Sequence, residues 1–323
     1  MSIHEISKPY FPGFTRKSVS FSIDDGNFDL DKKFISIVAP YGIKGTFNLC
    51  SNTINEKNRE QVRELYRGFE ISNHCAHHPY CLEESMRELV SPDQFDRETA
   101  DESKIYHHPT VENLYMLHKP KGWRTAAFLE DYVEFAKLGQ RQLEEVFGEG
   151  NIKGFAWPFG LQEVPGIFER IRALGFLHIR IGGKTLDSTG YAIPSDLMYW
   201  NFTATGLTIK EQIPIYESYP DDGELKFFVI GAHSSDFVLY DNFCDLEYFS
   251  HTFGNKPDRY YTAGVEEIFH YSTCAKQLVI TDEYIENPTD TDIYIKIDGE
   301  KIVLRAGTKT DLETKKIISK ILI

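Results

Sequence analysis

The sequence predicts an α/β fold, a parallel sheet backed by helices and followed by a small C-terminal β appendage. Three observations lead there. Short β-branched and aromatic runs alternate with helical patterns along most of the chain, as repeated βα units require. Three of those runs stop in ionisable clusters: Asp24-Asp25, His74-x-x-x-His78 and His233-Ser234-Ser235-Asp236. From about Leu278 the rhythm shortens to alternating runs parted by turn signals. The sheet can be doubly wound or closed as a barrel, and in both cases the chemistry gathers where strands end and loops begin.

In chain order, Val19 to Ile23 reads as a buried strand stopping at the polar Asp24-Asp25-Gly26. Leu30 to Tyr41 is helical, Gly45 to Leu49 a strand, Glu56 to Tyr66 a charged helix, and Phe69-Glu70-Ile71 a third strand running into Ser72-Asn73-His74. Leu143 to Phe147 closes a helix, Gly154-Phe155-Ala156 is a strand, Phe168 to Leu174 a helix and Leu177-His178-Ile179 a strand. Met198 to Phe202 and Leu225 to Ile230 are expected strands, with Phe243 to Phe253 a helix. Residues 91–129 interrupt this alternation. They are polar, rich in His, Pro and Lys and too long for a simple connection, so they read as an insertion lying over the site. Ile293 to Ile297 and Ile302 to Leu304, joined at Asp298-Gly299, read as a hairpin. The expected division is a main domain over residues 1–276 and a β extension over 277–323 that docks on it.

With 323 residues the chain is long enough for a large core; 35 Lys and Arg against 49 Asp and Glu leave a formal charge of −14. That acidity disfavours nucleic acid and anionic lipid as partners and suits a neutral or cationic substrate. The longest apolar runs fall well short of the ~18 to 20 residues that span a bilayer, and residues 1–15 lack a signal-peptide core. Five scattered cysteines, Cys50, Cys75, Cys81, Cys244 and Cys274, form no CxxC pair and read as reduced thiols. Together these features predict a cytoplasmic protein, export behind a trimmed leader being the compatible alternative.

A buried strand has no structural need to finish in ionisable residues. Two imidazoles one helical turn apart can point the same way, and one carboxylate completes a two-His, one-Asp set that leaves coordination positions open for water and substrate. Such a set suits a catalytic metal site. Neighbours in an extended segment point in opposed directions, so Asp24 and Asp25 are expected to divide the work, one binding metal and the other accepting a proton from water.

The stretch Phe21-Ser22-Ile23-Asp24-Asp25-Gly26 resembles the first motif of the polysaccharide deacetylases, the NodB-homology fold of carbohydrate esterase family four. Gly68 to Pro79 is similar to its second motif, Gly154 to Gly160 to its third, and Phe228 to His233 to its last. The resemblance runs in order from Val19 to Thr273. It implies a distorted parallel (β/α) barrel of seven or eight strands. It implies too that Asp25, His74 and His78 hold a divalent metal, zinc first, with cobalt, nickel or manganese as alternatives. Asp24 would be the general base and His233 the general acid. The implied activity is removal of acetyl from an N-acetylated, or less typically O-acetylated, carbohydrate by metal-activated water; relatives cleave other C–N bonds, including those of cyclic amides.

Two positions depart from the family pattern. Ala156, followed by Trp157, stands where an Arg usually pairs with the base, so the base is expected to lack its partner. Tyr199-Trp200-Asn201-Phe202-Thr203 lacks the usual Asp that orients the acid histidine, for which Asp236 or Asp241 is available; Asp236 is also a candidate substrate contact. These gaps favour, as an alternative, a catalytically silent carbohydrate-binding chain. His77 is expected to point away from the ligands, His107 and His108 to be loop residues, and Cys75 to be a buried filler where Ser or Thr is usual. The aromatic candidates for stacking on a sugar are Trp123, Trp157, Trp200, Phe159 and Tyr80, with Trp157 and Phe159 favoured by their loop. Backbone N–H groups near Phe159 are candidates for the oxyanion.

Overall fold

The computed structural model describes residues 4–182 and 191–320 of the chain. Strand β1 (Lys17–Asp25) is buried almost throughout because both of its faces are covered. Val19, Phe21 and Ile23 pack outward against Phe34, Phe237 and Phe249 in a large hydrophobic core. The alternating Ser18, Ser20 and Ser22 face the other way, bonding to the Lys226 and Ala263 carbonyls and to the Asn48 amide. Asp24 continues that polar row by the two-residue period of a strand.

The chain proceeds through α1 (Phe28–Val38), β2 (Thr46–Leu49), α2 (Arg59–Leu65) and β3 (Glu70–Asn73). Helix α1 begins at Asn27, whose side chain accepts from Leu30 N–H. A separate sheet follows, made of β4 (Tyr80–Leu82), β5 (Val90–Gln94), β6 (Ile105–His107), β7 (Tyr115–Lys119) and β8 (Gly122–Phe128). The βα rhythm resumes with α3 (Leu129–Phe147), β9 (Gly154–Ala156), α4 (Ile167–Arg172), β10 (His178–Arg180) and β11 (Ala204–Thr205). It ends with α5 (Ile209–Ser218), β12 (Lys226–His233), α6 (Ser234–Leu239), α7 (Phe243–Phe253), β13 (Tyr260–Thr262) and α8 (Val265–Ala275).

Seven strands pair in the order β10-β9-β3-β2-β1-β12-β11, and β13 adds to β1. Every pairing is parallel, and the seven curl into a half-barrel. The expected strand Met198 to Phe202 is instead a single bridge at Trp200. Its backbone divides between neighbours: Trp200 bonds to Ile179 and Ile181 beside β10, whereas Thr203 N–H reaches Val229 of β12. No run of it ladders with one partner, so no strand forms. Among the described residues, no helix is long and apolar enough to cross a membrane.

The segment read as a polar insertion is a five-stranded sheet, ordered β4-β8-β7-β6-β5, that starts at Tyr80 rather than Ser91. It has a small core of its own, including Leu82, Ile105, Leu117 and Phe128. At the C-terminal end, β14 (Val279–Ile280), β15 (Tyr284–Asn287), β16 (Ile293–Ile297), β17 (Glu300–Leu304), β18 (Thr308–Asp311) and β19 (Ile317–Lys320) form two small sheets. Ile285, Ile293, Ile295 and Leu304 join one core with Ile268 and Phe269 of α8, so the extension packs on the barrel.

Candidate active site

Register sets the geometry of the site. In the sheet Asp24 lies level with His233 on one side and Asn48 on the other. Asp25, the next residue, would face the helices if the strand stayed extended. Its φ of 77° turns the backbone, and both carboxylates line one cavity of about 960 Å³.

His74 leaves β3 directly. The loop after it is no helical turn, which corrects the expected reason for the two imidazoles to converge: Cys75, His77 and His78 adopt φ of 66°, 64° and 49°. Side chains from three places hold this left-handed path. Asn73 Oδ1 accepts from Cys75 N–H at 2.7 Å, Asn52 Oδ1 accepts from His77 N–H at 3.0 Å, and Thr125 Oγ1 lies 2.8 Å from the His77 and His78 carbonyls. Cys75 is fully buried beside Tyr132, as a filler should be. His77 points away and meets the edge of Phe135; His107, expected in a loop, instead ends strand β6 and lies tilted against Tyr115.

Asp25 Oδ1 lies 3.5 Å from His74 Nε2 and 3.3 Å from His78 Nε2, and the two nitrogens are 3.2 Å apart. His74 Nδ1 stands 2.8 Å from the Ala156 carbonyl, which can only accept, so Nδ1 carries the proton and Nε2 offers a lone pair. Burial, aided by neighbouring His74, pushes His78 down to about 4, leaving it neutral. Burial works against the Asp25 carboxylate, but the three surrounding imidazoles outweigh it and hold it well below the usual range. Asp25 Oδ1 is buried without a hydrogen-bond partner. One anionic oxygen and two imidazole nitrogens facing a common point fit a divalent cation.

The expectation that Asp24 lacks a cationic partner is wrong. Arg180, at the end of β10, places Nη2 2.5 Å from both Asp24 oxygens, and Asn48 Nδ2 donates to Oδ1 at 2.8 Å. Ala156 does occupy the usual place, but the strand beside it supplies the guanidinium. Burial raises the Asp24 pKa, and Arg180, with His74 and His233, more than reverses that, so the group stays ionised. Gly231 leaves room for the Phe202 ring, which a Cβ there would strike at 2.0 Å, and Arg180 lies 5.6 Å over that ring.

The missing orienting carboxylate is also replaced. Asp236 Oδ2 accepts from His233 N–H at 2.8 Å and lies 3.1 Å from its Nδ1. His233 Nε2 then faces Asp25 Oδ2 at 3.8 Å. Burial lowers the His233 pKa, but Asp236, Asp24 and Asp25 prevail and raise it to about 9.

Among the aromatic candidates, Phe159 stands at the rim, 42% exposed, its ring edge-on to His78 at 4.3 Å. Tyr80 meets that rim through Phe159, at 6.1 Å. Trp157 is 1% exposed and stacked on Tyr132, so it offers the cavity no open ring face, although its indole N–H is buried without a partner. Trp200 is a misassignment: it packs against Phe269 and Phe227 in the core behind the sheet. The insertion contributes Lys121, Trp123, Arg124 and Thr125 to the cavity wall. Arg180 and Asn48 escaped the sequence reading. The signal for Arg180 was a cation ending a short apolar strand, the same anomaly that singled out Asp24 and His74.

Residues 12–176, just over half of the chain, match the family model described as polysaccharide deacetylase. No curated protein matches the chain. Among solved structures, a family 4 acetyl xylan esterase from Clostridium thermocellum, in complex with a cobalt ion, is 16% identical, covering 80% of this chain and 92% of its own at a TM-score of 0.44. The chitin deacetylase of Colletotrichum lindemuthianum is 15% identical, covering 81% and 89%, TM-score 0.44. The Xyl-CE4 domain of a multidomain xylanase from the hindgut metagenome of Trinervitermes trinervoides is 14% identical, covering 80% and 92%, TM-score 0.44.

Proposed function

The chain belongs to the polysaccharide deacetylase family, and from that premise we propose that it hydrolyses the acetyl group of an N-acetylated carbohydrate with a divalent metal held by Asp25, His74 and His78. The observation that supports this most is the convergence of those three donor atoms between two prepared acid-base pairs, Asp24 with Arg180 and His233 with Asp236. A bound cation would supply a polarised acyl carbonyl and a water acidified to a pKa of about 7.

Asp24 takes the proton of the attacking water. Arg180 keeps it ionised and makes it a weak base, so it depends on that acidification. His233 gives a proton to the departing amine, and Asp236 on Nδ1 keeps Nε2 directed into the cavity. Phe159 N–H is the candidate donor to the developing oxyanion, since the next amide, Gly160 N–H, is already bonded to the Trp157 carbonyl. Phe159 and Trp123 line the cavity as candidate apolar surfaces for a sugar, and Lys121 and Arg124 line it as candidate polar contacts. A silent binding protein has lost its motive, because both apparently missing partners are present from other positions.

The test is acetate release from a panel of N- and O-acetylated oligosaccharides, with cyclic ureides alongside, using protein stripped of metal and reloaded with zinc or cobalt. Release from the N-acetylated members that returns on reloading supports the proposal. Sugar binding without acetate release in any metal refutes it.

A further inference from the structure

A second set of donor atoms converges far from the cavity, at the seam between α8 and the C-terminal extension. His270 and Cys274 lie one turn apart on α8 and so share a face, while Asp290 belongs to the turn after β15. His270 Nε2 is 3.0 Å from Asp290 Oδ1, and Cys274 Sγ is 3.6 Å from that nitrogen and 3.7 Å from that oxygen. A tetrahedral ion bonded at about 2.1 Å to N and O and about 2.3 Å to S separates its ligand atoms by roughly 3.4 to 3.6 Å. The three atoms already stand near the corners of such a site.

We propose that His270, Cys274 and Asp290 form a second metal site, of the zinc type, that pins the extension to the barrel. Thiolate, imidazole and a single carboxylate select a borderline-soft cation over magnesium or calcium, which favour oxygen alone. Binding replaces the Cys274 S–H bond with a sulfur–metal bond and releases the proton to solvent. The turn carrying Asp290 is already fixed. Asn287 Nδ2 donates to the carbonyls of Thr291, Leu304 and Arg305, and its Oδ1 accepts from Thr289. Cys274 is buried, whereas His270 and Asp290 are exposed, so an ion enters from solvent and keeps one position for water. Thr291 Oγ1, 3.1 Å from His270 Nε2, and the side chain of Thr289, which bonds to Cys274, are further polar neighbours. That open side faces a cavity of about 680 Å³ to which Glu266, Glu267, Lys153 and Lys44 also contribute.

The test counts metal in the full chain after loading with zinc and desalting. The wild type should carry one equivalent more than Cys274→Ser. Asp290→Asn, altered at an exposed position, guards against misfolding and should bind the extra equivalent at least tenfold more weakly. Loaded with cobalt, both the wild type and Asp25→Asn should show sulfur-to-metal charge-transfer absorption, and Cys274→Ser should lack it. Retention of that absorption in Asp25→Asn separates this site from the cluster in the main cavity. Equal metal content in wild type and Cys274→Ser, or cobalt protein with no thiolate absorption, overturns the proposal and leaves the three groups as a hydrogen-bonded set.

Discussion

Arg180 Nη2 stands 2.5 Å from both oxygens of Asp24 across 156 residues of sequence, with the two side chains 3% and 11% exposed. A buried ion pair is coherent only as a pair, since either partner alone is an uncompensated charge. Arg180→Gln is therefore expected to destabilise the fold by about 3 to 5 kcal/mol in chemical denaturation. It should also cut acetate release by about 10²-fold or more. An unchanged denaturation midpoint would show that the pair contributes nothing.

Asp24 and Asp25 are adjacent yet have separable duties in the proposed mechanism. Asp25→Asn should abolish tight metal binding, measured by elemental analysis at the main site. Asp24→Asn should keep the metal and lose turnover. Normal turnover in Asp24→Asn contradicts the base assignment.

Asp236 lines the cavity and, in the proposed scheme, acts by orienting His233, so its loss should act on rate more than on affinity. For Asp236→Ala we expect kcat to fall by about 10²-fold with KM nearly unchanged. A rise in KM alone would mean that Asp236 binds substrate instead.

The insertion braces the loop of the proposed ligand His78 through one hydroxyl. Thr125 Oγ1 braces the carbonyls of His77 and His78, and Thr125→Val keeps the shape while removing that bond. Outer contacts of this kind are worth roughly 10- to 100-fold in metal affinity. Competition with a chelator measures it, and equal affinity in the variant would leave the brace without a role.

Asp31 lies fully buried beneath the site, accepting from Ser234 and Tyr66 hydroxyls. Burial raises its pKa to about 6, only partly opposed by those two donors. A carboxyl whose folded pKa is raised favours the folded state below the unfolded value of about 3.9 and loses that contribution as pH climbs through about 6. Relative to wild type, Asp31→Asn should gain about 3 kcal/mol of stability between pH 4 and pH 8. Parallel denaturation curves at the two pH values would refute the shift.

Much of the barrel was legible because β1 alternates apolar and small polar residues, and because strand ends carried residues that a core does not need. The loop from His74 to His78 was read as a helical turn, since spacing alone cannot distinguish that from a loop in which three of the four residues after His74 are left-handed. Arg180 was missed for two reasons: its strand was ended one residue early, at Ile179, and the guanidinium was sought at position 156. Trp200 was offered to a ligand on residue type, whereas the face it presents depends on pairing that no local pattern encodes. The sheet within the insertion went unread because buried Tyr115 and Leu117 alternate within only five residues, among charges that mask the period.

Asp24 sits in register with His233 on one side and with Asn48 on the other. Parallel strands can slide past each other only in whole-residue steps, and a single step would turn one of these side chains to the opposite face. For the proposed chemistry the register is thus digital: a displaced strand is expected to leave an inert molecule rather than a slower one. The connecting loops, by contrast, can lengthen, shorten or acquire whole sheets while the row of side chains stays aligned.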